Sequence, residues 1–350
     1  MNTRKYTRER VSSWKRALKV VAETLVAGTV PAVWRFRPAG GLLVLMYHRV
    51  LPPEASERRI EQPGMYVSPV TLDLHFSLLK RYFEFVHLDD WLRRAGQREE
   101  LPRIACAITF DDGWRDNFEH ALPVLRKYHV PATIFLVSGY TGTAREFWPN
   151  RLGRLLLAEV SQPGSVEFPE PLRRLIEPVL QGARRLGAIG SEAVDCAIAV
   201  AKQLEESQIR DLIARTGGRG SELGNVRDVL DQEEIRAMAD SGLVRFGSHT
   251  RTHYRLRGEI APEVLHREIV ESRAEIAASC GQPVNVFCYP NGDMTASAEN
   301  LVRQHYRGAV TTSKGWHGAH RDPFRIRRIG VHEDISSRPD SFLARITGWL

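Results

Sequence analysis

Beyond Gly40 the chain alternates between two hydrophobic rhythms. Short runs of about four to seven mostly apolar residues suit strands covered on both faces, whereas the longer stretches between them repeat apolar positions every three or four residues, as one-sided helices do. Strands are predicted at 42–47, 84–88, 104–110, 133–137, 244–248, 285–289, 308–311 and 326–329. Helical patterns lie between them, such as 69–82, opened by Ser68 as N-cap, and 262–279, closed by Gly281. This alternation predicts an α/β fold with a parallel sheet, and eight short strands predict a (β/α) barrel, distorted or incomplete and TIM-like.

From about 150 to 230 the alternation stops. That stretch is helical in pattern, rich in Arg, Leu and Ala, punctuated by Pro163-Gly164 and Gly217-Gly218, and without strand signals. It reads as a helical insertion between the fourth and fifth strands, either a lid over the face where strands end or, the commoner outcome, a packing element.

Ahead of the barrel lies a different segment. Val11, Trp14, Leu18, Val21 and Leu25 fall on one helical face flanked by Arg10, Lys15, Arg16 and Lys19, and Pro31 ends the pattern. Residues 1–37 hold nine Lys/Arg and two Glu, an excess that equals the +7 of all 350 residues, so the remaining chain is balanced. The division expected is a basic amphipathic arm at 1–38 and a barrel domain at 39–340. Such an arm either packs on the domain or lies on an anionic membrane through residues 10–30. Lys19 and Glu23 break it as a spanning helix or the core of a signal peptide. A neutral body argues against nucleic acid as a partner. Cys106, Cys196, Cys280 and Cys288 form no close pairing, which predicts reduced, cytoplasmic surroundings, at the inner face of the membrane if the arm binds there.

Chemistry collects where the predicted strands end. Strand 104–110 runs into Asp111-Asp112-Gly113, and strand 244–248 into His249-Thr250-Arg251-Thr252-His253. A third strand feeds Tyr289-Pro290-Asn291-Gly292-Asp293, and the first ends in Met46-Tyr47-His48. Each has a bland explanation alone: a capping turn, a pair of surface histidines, an ordinary βα loop, a buried histidine. Together they supply two imidazoles and a carboxylate, an open metal set, with a second carboxylate beside it. The same set serves non-haem iron oxygenases, but those need antiparallel double sheets rather than this alternation.

Thr109-Phe110-Asp111-Asp112-Gly113 resembles the first motif of the carbohydrate esterase family 4 polysaccharide deacetylases, and His249-Thr250-Arg251-Thr252-His253 resembles the second. Tyr289-Pro290-Asn291-Gly292 is similar to the third, in the form of the bacterial exopolysaccharide branch. The resemblance covers about residues 41–335 outside the insertion. It implies a hydrolase that removes N-acetyl groups from a polysaccharide or lipid-linked glycan. It further implies a divalent metal held by Asp112, His249 and His253, usually zinc, with cobalt, nickel or iron as alternatives. Asp111 is then the base, and the backbone N–H of Asn291 an oxyanion donor. An Arg that usually opens the third motif is missing, and Arg328 is the candidate to replace it against Asp111. No Leu-x-His follows residue 293, and the acid passes to His48, as in the exopolysaccharide branch. Trp114, Trp148, Tyr289 and Trp316 are candidates to stack on sugar rings, although core packing is the commoner use for at least half of such aromatics. An O-acetyl esterase and a non-catalytic glycan-binding module are the alternatives, and retention of both Asp111 and Asp112 argues against the second.

Overall fold

A computed structural model describes residues 23–25, 28–29, 34, 39–219 and 227–347. Its strands are β1 (Gly41–Tyr47), β2 (Arg49–Val50), β3 (Tyr66–Val67), β4 (Glu84–Phe85), β5 (Ile104–Phe110), β6 (Ala132–Leu136), β7 (Val244–Ser248), β8 (Val286–Cys288), β9 (Gly308–Lys314), β10 (His317–Gly318) and β11 (Ile326–Gly330). Seven of them close a parallel barrel in the order β1, β5, β6, β7, β8, β9, β11 and back to β1. The β1–β5 pairing is continuous from Gly41 opposite Ile104 to Tyr47 opposite Phe110. The short β2 and β3 pair with each other, and β10 runs antiparallel to the start of β1.

The barrel therefore has one strand fewer than the eight expected. The run at 84–88 contributes only β4, paired beside the start of β5 at Glu84–Ala105 and Phe85–Cys106. A helix begins at Leu88 with Asp89 and Asp90 in its first turn, where carboxylates favour the positive end of the helix dipole. That helix carries Trp91 and Leu92 into the same apolar cluster as Leu42, Ala105 and Phe135. The closed parallel barrel also removes the antiparallel sheets that an oxygenase of the double-sheet kind requires.

Alternate residues of the strands fill the two sides of the barrel wall. Val44, Ala107, Phe135, Val286, Cys288, Val310 and Ile326, from six different strands, meet in one cluster, which is the interior. Leu43, Leu45, Ile108 and Phe110 belong to the larger cluster under the surrounding helices. At 69–82 the helix runs Pro69–Leu79, with the Ser68 hydroxyl accepting from the Thr71 N–H as predicted for its N-cap.

Between β6 and β7 stand helices Trp148–Ser161, Glu170–Leu186, Ser191–Ala201 and Glu206–Ala214. They enclose an apolar core of their own, including Leu155, Ile176, Val194, Ile198 and Ile209. Apart from Leu25, which is exposed, the stripe of the basic N-terminal arm lies outside the described residues. Among the described residues no helix is long and apolar enough to cross a membrane.

Candidate active site

The inward alternation of the strands explains which side chains meet at the open end of the barrel. Continuing Ala105 and Ala107 by twos along β5 leads to Thr109 and then Asp111; continuing Leu42 and Val44 along β1 leads to Met46 and then His48; Ile326 on β11 leads to Arg328. These residues converge. Arg328 donates from Nη1 to Asp111 Oδ1 at 2.7 Å and from Nη2 to Asp111 Oδ2 at 2.8 Å. The guanidinium is itself fixed by the Thr311 carbonyl, Thr109 Oγ1 and Cys288 Sγ. His48 Nε2 lies 3.9 Å from Asp111 Oδ2. Burial alone would raise the Asp111 carboxyl, but the charge and hydrogen bonds of Arg328 override it and hold the group well below the usual carboxylate range. Burial pushes the His48 imidazole down to about 4, against the opposing pull of Asp111.

Asp112 leaves the strand in a left-handed conformation, φ 72°, and so turns away from its neighbour. Gly113 follows with φ 72° where a Cβ would sit 2.6 Å from the Leu136 side chain, so the turn depends on glycine. The two histidines come from a turn, not a helix, in which Thr250 and His253 also adopt positive φ. Backbone strain of this kind in non-glycine residues is concentrated where a site must be held in one shape. Asp112 Oδ1 stands 3.6 Å from His249 Nε2 and 3.6 Å from His253 Nε2.

These three residues fit a divalent ion. Their donor atoms lie within 4.8 Å of one another. His249 Nδ1 is 2.8 Å from the Cys288 carbonyl, which can only accept, so the proton sits on Nδ1 and Nε2 presents its lone pair to the site. Trp114 Nε1 donates to Asp112 Oδ2 at 3.0 Å, leaving Oδ1 toward the histidines. Burial, then the nearby charge of Asp111, pushes the Asp112 carboxyl up to about 7, and burial lowers both imidazoles. A buried carboxylate with neutral imidazoles is a site that a cation completes. A second grouping, Asp111 with His249 and Cys288, fits poorly: Asp111 is already engaged by Arg328, and burial drives the Cys288 thiol well above its ordinary range.

A model of the polysaccharide deacetylase family matches residues 98–175 and 193–308, more than half of the chain. The chain belongs to the polysaccharide deacetylase family. The match includes Asp111, Asp112, both histidines and Asn291, and leaves His48 and Arg328 outside it. A poly-β-1,6-N-acetyl-D-glucosamine N-deacetylase of Staphylococcus epidermidis is 31% identical over 85 residues, 24% of this chain and 29% of that protein. One of the same name from Staphylococcus aureus strain N315 is 28% identical over 134 residues, 36% of this chain and 46% of that protein. The matches thus span less than half the length of these relatives. Among solved structures, a Streptococcus pyogenes deacetylase in complex with acetate superposes with a TM-score of 0.55 at 18% identity, covering 88% of this chain and 99% of that one. IcaB from Ammonifex degensii gives 0.53 at 18% identity, covering 88% and 98%. At such identity these two establish the deacetylase barrel as the shared fold.

In this family member Asp112, His249 and His253 line a cavity of about 460 Å³ together with His48, Asn291 and Trp148. Asn291 sits in the turn after β8 with φ 55°, and Gly292 follows where a Cβ would meet Thr312 Oγ1 at 2.2 Å. Trp148, partly buried at the start of its helix, remains a stacking candidate on the cavity wall. Trp114 and Tyr289 border the same cavity as buried rings, and Trp316 does not reach it. Trp114 is 2% exposed, its indole N–H is used by Asp112, and the Arg49 guanidinium covers one ring face at 4.3 Å. Tyr289 is fully buried, its ring edge-on to Phe287. Trp316 packs with Trp34 and Phe83 and donates to the Ile346 carbonyl, away from the cavity. Hydrophobicity and strand-end position do not separate a ring facing a cavity from one beneath it.

Several supporting residues carry no signal in the sequence. Glu268, 2% exposed, accepts from the Arg251 and Thr252 N–H groups and from Thr252 Oγ1, each at 2.9 Å, and so pins the turn between His249 and His253. Arg210, from the helix Glu206–Ala214, donates to the Thr252 carbonyl of the same turn. Beneath Trp114, Arg49 bridges Asp116 and Glu61, each at 2.9 Å, and Asn150 joins through Glu61. These contacts come from distant segments, and nothing in local spacing announces them.

Proposed function

We propose that the chain is a metal-dependent glycan N-deacetylase. The observation that carries this is the juxtaposition of a three-residue metal set, Asp112, His249 and His253, with a separate carboxylate, Asp111, held in its ionised form by Arg328. Zinc is the ion we favour for two imidazoles and one carboxylate. When bound, it supplies Lewis-acid polarisation of the acetyl carbonyl and lowers the pKa of water. Asp111 accepts the proton released as water attacks, and the Asn291 backbone N–H supports the oxyanion. Burial keeps the His48 imidazole neutral until a proton arrives. Protonated Asp111, strongly acidic beside Arg328, hands its proton to His48 Nε2, and His48 delivers it to the departing nitrogen. Each proton taken from water thereby ends on the amine, which leaves acetate and an amino sugar.

Removal of an N-acetyl rather than an O-acetyl group is supported by the names of the matching relatives. The glycan itself, as polymer or lipid-linked precursor, is tested by acetate release across a panel of N-acetylated glycans and lipid-linked sugars with metal content measured in parallel. Chelator-sensitive acetate release supports the proposal; metal-loaded protein inert on the whole panel rejects it. We also propose a cytoplasmic location at an anionic membrane surface. Support comes from the charge concentrated in residues 1–37 and from four cysteines that form no disulfide. Loss of vesicle sedimentation on removal of residues 1–37, with activity on a soluble substrate kept, is the expected result; equal sedimentation of the truncated protein rejects it.

A further inference from the structure

Contacts from both ends of the insertion run to the turns that carry Asp112 and His253. The apolar core of the insertion is nearly self-contained: among the described residues, Ile60 is the one buried member contributed from outside it. Its attachment to the barrel accordingly leans on polar contacts, as between domains rather than within one core.

The first helix of the insertion supports Asp112. Asn150 Nδ2 donates to Glu61 Oε2 at 2.9 Å, and the same oxygen accepts from Arg49 Nη1 at 2.9 Å. The Arg49 guanidinium in turn lies 4.3 Å over the Trp114 ring, whose N–H holds Asp112 Oδ2. A guanidinium on an indole face is an attractive contact that fixes the plane of the ring. From the same helix Arg154 pairs with Asp228, and the chain returning from the insertion is bonded on either side of Trp114. There the Arg115 N–H donates to the Asp228 carbonyl at 2.8 Å and the Leu230 N–H to the Gly113 carbonyl at 2.9 Å.

The last helix of the insertion supports His253. Arg210, oriented by Glu206 one turn earlier, donates from Nη1 and Nη2 to the Thr252 carbonyl at 3.2 and 3.1 Å. That carbonyl belongs to the peptide unit entering His253, whose φ of 56° is one that a residue other than glycine keeps only when its surroundings hold it there. Glu268 thus holds the N–H side of this turn and Arg210 its carbonyl side.

We propose that the insertion is a brace for the metal site: Arg210 and Asn150 are positioning residues, and docking of the insertion and binding of the metal are one coupled equilibrium. This rests on the metal set of the deacetylase reading and adds to it a part played by residues outside that set. A segment that supports the ligands from behind cannot lift away during turnover without loosening the metal. The insertion therefore stays docked through the cycle and is not a lid. Coupling is reciprocal: whatever docking adds to metal affinity, the metal adds to docking.

The test uses the full chain, stripped of metal and titrated with zinc against a chelator of known affinity. Arg210→Met should weaken zinc binding about tenfold, the lower end of the range for residues that orient ligands. Asn150→Ala should act in the same direction, and Arg210→Lys, which can still donate to a carbonyl, should recover part of the loss. Hydrogen exchange adds a readout that a merely structural role would not move. Zinc should slow amide exchange in the helix Glu206–Ala214 of wild-type protein, and in Arg210→Met that slowing should shrink by the same factor as the affinity. Wild-type zinc affinity in Arg210→Met, or exchange in this helix that is indifferent to zinc, overturns the proposal. Wild-type protein that binds no zinc overturns the metal set and the brace together. Wild-type protein that binds zinc but releases no chelator-sensitive acetate fails the deacetylase reading alone, and affinity and exchange still decide the brace.

Discussion

Arg328 and Asp111, 217 positions apart in sequence, meet as a two-pronged pair at 2.7 and 2.8 Å inside the barrel, with both side chains almost fully buried. Asp111 directly follows β5 and Arg328 lies within β11, each continuing the inward-facing series of its strand. Removing one partner leaves the other as a buried, uncompensated charge, which typically costs about 3–5 kcal/mol. Arg328→Met should therefore lower the denaturant midpoint markedly and reduce kcat by at least about 10²-fold, the contribution of a positioned base, while metal stoichiometry stays at the wild-type value. Arg328→Lys, which keeps the charge but not the fork, should recover stability more than turnover. Wild-type kcat in Arg328→Met would remove the pair from the chemistry.

His48→Ala should keep fold and metal but lose about 10²–10⁴ in kcat on an N-acetylated glycan, the range for a positioned acid. Activated aryl acetates need little protonation of the leaving group, so the same variant should lose far less on them. Paired kinetics on the two substrates check this, and an equal loss on both would make His48 a structural residue.

Glu268→Ala touches no metal ligand, yet should weaken metal binding about 10–100-fold, as loss of a residue that orients ligands commonly does. Competition against a chelator of known affinity measures it. Unchanged affinity would show that the turn between His249 and His253 holds its shape without the three hydrogen bonds to Glu268.

Metal binding should depend on pH through Asp112. Its carboxyl is raised to about 7, so in metal-free protein it is mostly protonated below that pH and ionised above it. Burial shifts both histidines the other way, toward the neutral form. Below about pH 7 the ion must displace the proton of Asp112, and above about pH 8 that carboxyl has none to give. Apparent affinity should then fall about tenfold for each unit of pH below that point. Calorimetry in buffers of different ionisation enthalpy counts the protons, and release of none at pH 6 would contradict the assignment.

The barrel, its distortion and the chemistry at strand ends were legible because each depends on local pattern. Two-residue alternation places Asp111 inward, and Asp-Asp-Gly and His-x-x-x-His mark the strand exits. What escaped depends on packing between distant segments. The run at 84–88 has the composition of a full strand, but Leu88 is taken by the helix that brings Trp91 into the barrel interior. Trp114 and Trp316 look like platforms until Arg49 and the helix Pro339–Ile346 are seen to engage them. The left-handed turn at Asp112 is equally invisible in a string of letters, although Gly113 after it is the trace it leaves.

Asp112, His249 and His253 are proposed to hold the metal, with Asp111 outside the ligand set. Metal content and acetate release, measured on the same preparations of His253→Ala and Asp111→Asn, test this most directly. His253→Ala, reduced to two protein ligands, should lose most of its metal and its activity together, and Asp111→Asn should keep stoichiometric metal while losing turnover. Full metal in His253→Ala, or near-normal kcat in Asp111→Asn, would contradict the account.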